Sequence, residues 1–338
     1  MKAIVLKKSG PPRVLKISDV PEPVPAAVEV GVRLHYTGVN YAEILSRKGL
    51  YDWAPKRPYI LGMEGAGEIE TVGDGVDKSR IGQKVIVGTQ LGCYAEKIAV
   101  PQELAVPALE QYSMEENAAF IVNYMTAWVA LWELARLQKH EKVLITSAAG
   151  GVGSAAVQLT AKLGCEVYGL AGSQEKIDLV KSLGAAEALN YRDNDCFQQL
   201  REISGKMDVI LETVGGRIYK ESRKLLNPFG RMAVVGFSCL NLKKWNPVSW
   251  WQTLRDLPLV SLHSLAIASN GIMATHLGFL LKDTEKTIAI FERLKQFVTD
   301  NQIRPIIGKT FPFEQASAAH AFIESRKSVG KVLLRHNS

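Results

Sequence analysis

Cysteine is scarce in this sequence. Cys93, Cys165, Cys196 and Cys239 are the only four among 338 residues, and no two form a C-x-x-C pair. That spacing excludes a disulfide framework and a four-cysteine structural zinc lobe, and it leads us to expect free thiols in a reducing compartment. The histidines (His35, His140, His263, His276, His320 and His336) show no metal-ligand spacing either. Long apolar runs are also missing. No stretch reaches the roughly 18 consecutive apolar residues of a membrane helix, and the apolar run at residues 3–6 is too short for the core of a signal peptide. A soluble, cytoplasmic protein is expected. Lys and Arg outnumber Asp and Glu by 41 to 34, a net charge of +7, but they are scattered, with no basic arm or block. Nucleic-acid binding is therefore not expected; the excess positive charge suits attraction of an anionic cofactor.

What is present reads as an ordinary globular chain, 47% apolar and 22% charged, and long enough that two domains are the first expectation. Residues 1–121 look strand-rich. Short apolar or alternating runs (1–6, 28–39, 62–72, 84–88) are divided by turns such as Gly73-Asp74-Gly75, and Pro21, Pro23 and Pro25 exclude a central strand between them. Ser113-Met114-Glu115-Glu116 has the form of a capping box, and an apolar helical region is expected over 118–137. Beyond it strands and helices alternate: strand 142–147, helix 152–163, strand 166–171, helix 174–183, strand 208–212, helix 219–226, strand 231–236. This α/β alternation predicts a doubly wound parallel sheet. The tail reads as helix 284–299, an extended stretch 306–311, helix 314–325 and a last strand 330–334.

The chemistry concentrates at residues 143–164, VLITSAAGGVGSAAVQLTAKLG. A predicted strand runs into Ala148-Ala149-Gly150-Gly151-Val152-Gly153, and a helix follows. Glycines there admit the backbone to a pyrophosphate, the helix N-terminus presents unpaired N–H groups, and Gly153 permits close packing of helix on strand. A dinucleotide is the expected ligand. The end of the next strand chooses between the two nicotinamide cofactors. An acid that would bind a ribose 2′-hydroxyl is absent there; the chain reads Ala171-Gly172-Ser173-Gln174-Glu175-Lys176, with Glu175 just inside the next helix. Ser173 and Lys176 are placed to hold a 2′-phosphate, so NADPH is expected.

These motifs resemble the quinone oxidoreductase (zeta-crystallin-like) branch of the medium-chain dehydrogenases/reductases, and the resemblance runs over nearly the whole chain. It rests on Gly38-Val39-Asn40, Gly49-Leu50-Tyr51, Gly62-Met63-Glu64-Gly65-Ala66-Gly67, Val72-Gly73-Asp74-Gly75-Val76, Gly82-Gln83-Lys84-Val85, Tyr94-Ala95-Glu96, the glycine turn, Pro305-Ile306-Ile307 and Gly330-Lys331-Val332-Leu333-Leu334. GMEGAG (62–67), IVNYMTAW (121–128) and HLGFL (276–280) are most similar to the vesicle amine transport protein group within it. The resemblance implies a GroES-like β-rich catalytic domain (1–121, with return segment 279–338) and an inserted Rossmann domain (122–278), with the active site in the cleft. It also implies a homodimer, through edge strands such as 271–278. Zinc-dependent relatives carry Cys where this chain has Asn40 and His where it has Met63, and Glu64 alone cannot hold a catalytic zinc. No metal is expected.

Without zinc, the reaction that remains is reduction of an already electrophilic acceptor, a quinone or an α,β-unsaturated carbonyl compound. Asn40 is placed to donate to the developing oxyanion or to the cofactor, and Tyr51 to orient the substrate or relay a proton. Tyr41 and Trp53 are expected as pocket walls, Glu64 as the pocket floor and Glu43, where an Asp is common in relatives, as a loop anchor. For the cofactor, the resemblance points to Asn123 and Thr126 at the domain crossover, to Tyr191 with Arg192, and to Gly236-Phe237 at the sheet's carboxyl edge, beside Ala149, Gly150, Gly151, Val152, Gly153, Gly172, Ser173 and Lys176. The segment 240–269, with Trp245, Trp250 and Trp251, is read as helical core packing, a lid, a dimer surface or a weak lipid contact. The rival to an enzyme is a redox-weak, NADPH-binding scaffold or membrane-associated protein of the same fold.

Overall fold

The structure is a computed structural model that describes residues 1–239, 249, 251, 255 and 260–337. In chain order the first part holds β1 (Lys2–Leu6), β2 (Ile17–Asp19), β3 (Glu29–Val39), α1 (Tyr41–Lys48), β4 (Tyr59–Ile60), β5 (Glu64–Val72), β6 (Lys84–Gly88), β7 (Lys97–Pro101), β8 (Ala105–Pro107), α2 (Met114–Ala118) and α3 (Ile121–Trp128). There follow β9 (Lys142–Ile145), α4 (Gly151–Leu163), β10 (Glu166–Ala171), α5 (Gln174–Ser182), β11 (Glu187–Asn190), α6 (Cys196–Ser204), β12 (Met207–Glu212), α7 (Gly216–Lys224), β13 (Leu226–Val234), α8 (Leu262–Ala268) and β14 (Gly271–Ala274). The chain ends with α9 (Thr284–Asp300), β15 (Ile307–Pro312), α10 (Ala316–Glu324) and β16 (Lys331–Arg335). It divides into two compact units, Met1–Asn123 with Leu277–Ser338, and Tyr124–His276.

The first unit is a GroES-like β structure. Its main sheet runs β15-β16-β3-β5-β6-β8, with β7 also paired to β3, and β1 forms a small sheet with β2 and β4. The C-terminal strand β16 lies antiparallel against β3, with Val332 opposite Val39 and Leu333 opposite Gly38. This pairing brings the far end of the chain beside Asn40. Buried Val30, Val32, Leu34, Ile69, Val85 and Val87 form one core cluster, and Ile4, Leu6, Leu61, Phe313, Val332 and Leu334 another.

The second unit is a parallel sheet in the order β11-β10-β9-β12-β13-β14. Renumbered from β9, that is the 3-2-1-4-5-6 order of a Rossmann fold, and the order reverses between β9 and β12. Such a sheet is covered on both faces, so its central strands are continuously apolar rather than alternating. Val143, Leu144 and Ile145 of β9 and Val209, Ile210 and Leu211 of β12 are fully buried.

The capping box forms as expected: Ser113 Oγ accepts from Glu116 N at 3.2 Å, and Glu116 Oε2 from Ser113 N at 2.7 Å. The apolar helical region expected over 118–137 is helical but divided, into the end of α2, α3 and a wider turn at Val129–Leu134. The edge strand expected at 271–278 stops at Ala274, and the helix expected at 219–226 starts three residues earlier. Paired glycines, Gly215 and Gly216, both at positive φ, turn the chain into α7 ahead of the apolar periodicity that sequence reading relies on. Trp245 and Trp250 lie outside the described residues; Trp251 is exposed.

Candidate active site

All the loops expected to hold a dinucleotide leave the carboxyl ends of parallel strands, so they gather along one edge of the sheet. Between β9 and α4 the chain turns at Ser147–Gly150. Gly150 caps α4 with no side chain to offer, and no acid occupies the helix's first turn. The N–H groups of that turn are therefore left for an outside anion. Gly153 is a sterically forced glycine. A Cβ there would overlap the Ser147 carbonyl oxygen and lie 2.8 Å from the Ala148 Cα. Both obstacles are backbone, so α4 can lie this close to the turn only without a side chain.

The next two strand ends carry a cationic pair. Burial lowers the Lys176 pKa, and the like charge of Arg192 lowers it further. The Arg192 guanidinium is 6.0 Å from the Tyr191 ring centroid. The Tyr191 ring itself lies over Gly172, where a Cβ would stand 2.9 Å from its hydroxyl. Ser173 caps α5. Arg192 thus disfavours the charge on Lys176, and a bound phosphate would offset that repulsion. At the switch point, Thr213 N donates to Thr146 Oγ1 at 2.9 Å. Glu212, fully buried, accepts from Val214 N and Gly215 N, both at 2.6 Å. Gly236 follows β13, close enough that its Cβ would be 3.3 Å from the Thr213 carbonyl oxygen; Phe237 packs against the core of the same unit. Asn123, buried, and Thr126, half-buried, stand one turn apart on α3.

The first unit builds a different kind of site. Asn40 follows β3 and caps α1; its backbone N donates to Glu43 Oε2 at 2.5 Å. Its side chain donates to Glu64 Oε1 at 2.9 Å and to Glu43 Oε1 at 3.3 Å, and its Oδ1 accepts from Lys331 Nζ at 2.6 Å. Lys331 also forms a salt bridge with Glu64. Glu64 Oε2 accepts from Val122 N at 3.0 Å and Glu43 Oε1 from Met63 N at 3.0 Å. Gly38 makes room for this cluster, since a Cβ there would come within 2.7 Å of the Glu64 carboxyl carbon. All four side chains are at most 8% exposed. Burial pushes the Glu43 carboxyl up to about 7, against the pull of Lys331.

Tyr51 lies on the segment after α1, half-buried. Burial pushes its hydroxyl up to about 12, opposed by a hydrogen bond with the side chain of Gln90. At neutral pH it is a protonated donor. The Gln90 Nε2 is itself buried without an acceptor. Trp53 packs edge-on against Phe279, with ring centroids 4.6 Å apart, and Lys282 Nζ stands 5.2 Å from the Trp53 ring. Tyr41 is half-buried at the start of α1.

Comparison with known proteins agrees with this architecture. The family "Alcohol dehydrogenase GroES-like domain" matches residues 26–110, and "Zinc-binding dehydrogenase" matches residues 183–334. The quinone oxidoreductase of Rattus norvegicus is 33% identical over 339 residues, covering 99% of this chain and 97% of that protein. The chain belongs to the quinone oxidoreductase family of medium-chain dehydrogenases/reductases. Its similarity extends to the synaptic vesicle membrane protein VAT-1 homolog of Homo sapiens, 32% identical over 343 residues, covering 99% of this chain and 86% of that one. Among solved structures, Escherichia coli quinone oxidoreductase complexed with NADPH aligns with a TM-score of 0.88 at 27% identity, covering 99% of this chain and 100% of that one.

Within this family member, sequence reading singled out Asn40, Glu64 and Tyr51 but missed what holds them. Lys331 was visible only as part of a strand motif, and Gln90 carried no signal. For Glu212, an acid ending an apolar strand three residues before a pair of glycines was the available clue.

Four buried groups set an expected pH dependence of folding. Burial raises Glu43 and Glu212 from 4.5 to about 7, and lowers His320 and His336 from 6.5 to about 3. The folded state holds the two Glu protons more tightly than the unfolded chain, so that stabilisation is full below pH 4.5 and lost as pH rises through about 7. The neutral histidines stabilise above pH 6.5, and that contribution is lost as pH falls towards about 3. The Tm of the unliganded protein is expected to be highest between about pH 4.5 and 6.5. Acid should lower it more steeply than base, because the hydrogen bond from Lys181 holds Glu187 below the usual carboxylate range and is lost there too. A Tm that climbs steadily from about pH 6.5 to about 8 rejects this assignment of the buried groups.

Proposed function

We propose that the chain binds NADPH and uses it to reduce quinones or α,β-unsaturated carbonyl compounds without a metal ion. The observation that carries the cofactor half is the combination of the side-chain-free turn at Gly150–Gly153 with the Lys176–Arg192 cation pair, at strand ends that lack an acid for a free 2′-hydroxyl. The residues present fit that cofactor. Gly150, Gly151, Val152 and Gly153 would hold its pyrophosphate, and Ser173, Lys176, Tyr191 and Arg192 its 2′-phosphate. When bound, NADPH supplies the hydride.

The residues do not fit zinc. Among the described residues no three His, Cys, Asp or Glu side chains are grouped to hold a metal. Glu64 already pairs with the Lys331 ammonium, a fixed positive charge that repels a dication. On this reading Tyr51 donates its hydroxyl proton towards the acceptor's carbonyl oxygen, Gln90 holds that hydroxyl, and Tyr41, Trp53 and Phe279 supply apolar wall. Hydride acceptors such as quinones and enones place charge on a conjugated oxygen, where fixed donors lower the barrier.

A homodimer and a cytoplasmic location belong to the same proposal. β14 ends the sheet order, and Leu262 and Ile267 on the neighbouring α8 are 84% and 74% exposed. No helix among the described residues is long and apolar enough to cross a membrane.

Steady-state oxidation of NADPH and NADH against a panel of quinones, enals and enones, with and without chelator, tests the proposal. NADPH is expected to be preferred and chelator to have no effect. Lys176→Ala is expected to raise the KM for NADPH roughly tenfold, the order of one charge-assisted hydrogen bond, and to leave NADH nearly unchanged. Equal losses with both cofactors would remove Lys176 from the phosphate site; absence of turnover with every acceptor would favour the scaffold reading.

A further inference from the structure

The Asn40 amide has no spare donor. Its two N–H groups go to Glu64 and Glu43, and its oxygen accepts from Lys331. The two donations are unequal. The bond to Glu64 is 2.9 Å, whereas that to Glu43, at 3.3 Å, lies beyond the usual range. The amide cannot turn over to escape, because an ammonium only donates. A flipped Asn40 would set its NH2 against the Lys331 ammonium and its carbonyl oxygen against two carboxyl groups.

Glu43 is surrounded by donors alone. Asn40 N donates to Oε2; Met63 N and Asn40 Nδ2 donate to Oε1. That suits a carboxylate. The cluster, however, holds two buried carboxyl groups against one buried ammonium, so it keeps one uncompensated negative charge unless it binds a proton. A proton on Glu43 would meet no acceptor among these partners. The most weakly held donor, Asn40 Nδ2, is the one to be displaced.

We propose that Glu43 gates Asn40: protonation of Glu43 releases one Asn40 N–H, which then donates to the carbonyl oxygen of the acceptor, while Lys331 keeps the amide from turning over. The inference rests on the carbonyl-reduction reading above. Other charged and titratable groups face Glu43 from each neighbouring element. Lys331 on β16 favours its ionised form and Glu64 on β5 its neutral form. Cys93 and Tyr94, ahead of β7, are held by burial well above their ordinary pKa values, and Tyr51 is also raised, so all three stay neutral while Glu43 titrates. Arg47, one turn along α1, acts on Tyr94. Burial places the Glu43 transition near pH 7, within the working range of an enzyme.

Two measurements on the full chain decide the matter. The first is the pH dependence of the side-chain NH2 resonances of protein labelled with 15N-asparagine, with Asn40 assigned by its loss in Asn40→Ala. They are expected to move with a midpoint near pH 7 and to stay still in Glu43→Gln. The second is kcat/KM for an enone at saturating NADPH. It is expected to fall about tenfold per pH unit above the Glu43 transition, as for a single required proton, and to become flat in Glu43→Gln. If Glu43→Gln does not fold, the infrared carboxylic-acid band of the parent protein, titrating near pH 7, replaces it as the reporter of Glu43. The resonances decide the gate whether or not any acceptor is turned over, so a failure of the reductase reading is seen separately. Asn40 resonances that ignore pH across neutrality overturn the proposal, as does an enone rate that is flat there while the resonances move.

Discussion

Gly153→Val is expected to abolish measurable NADPH binding and to destabilise the second unit. The added side chain meets the Ser147 carbonyl oxygen and the Ala148 backbone. Neither can rotate away, so α4 must lift off β9 and the turn must open. Overpacking a tight contact costs about 1–3 kcal/mol, and more where the obstacle is main chain. The larger effect is on the ligand. The N–H groups of the first turn of α4 can reach a pyrophosphate only if they converge, and a shift of about 1 Å is enough to lose most of that advantage. Fluorescence titration should show NADPH affinity reduced at least about 100-fold, and calorimetry a lower Tm for the unliganded protein. A control at Gly82, whose Cβ would meet nothing within 4 Å, should leave affinity intact despite its positive φ. Parent-like NADPH affinity in Gly153→Val would mean that this turn is not the pyrophosphate site.

The parts of the fold and site that could be read from sequence are those whose cause is local. The strand–glycine turn–helix at 142–163 is a contiguous signal, because the ligand contact, the tight turn and the close packing all act within a dozen residues. The alternation of strands and helices carried the parallel sheet for a similar reason: each crossover helix is adjacent in sequence to the strands it covers. The absence of an acid after β10 was equally legible. What failed to show was non-local. Asn40 and Lys331 are 291 positions apart, and only the antiparallel register of β16 on β3 brings them together. Nothing in the string GKVLL distinguishes a lysine that points to solvent from one buried beside two carboxyl groups. Helix α1 was missed because its cap, Asn40, directly follows the alternating pattern of β3. Glu43 was legible as an anchor but not as a titrating group, since its pKa depends on burial that no local pattern reports.

Removal of Lys331 is the second large expected effect. In Lys331→Met the Glu64 carboxylate stays fully buried, held by the Asn40 amide and Val122 N but facing Glu43 with no cation between them. Deleting one partner of a buried ion pair typically costs about 3–5 kcal/mol, because the remaining charge is uncompensated. The apparent Tm of the first unit is expected to fall by on the order of 10 °C. A merely space-filling lysine would behave differently, since methionine preserves most of its apolar volume. The double variant Lys331→Met with Glu64→Gln separates the two accounts. It removes both charges, and the carbonyl oxygen of the introduced glutamine still accepts from Val122 N. With the ammonium gone, the Asn40 amide is free to turn and accept from the new NH2 group. Replacement of both members of a buried pair is often close to neutral. The double variant should therefore recover most of the stability lost in the single one. A double variant no more stable than Lys331→Met would show that the lysine stabilises by packing, and the charge balance assigned to Glu43 and Glu64 would fail with it.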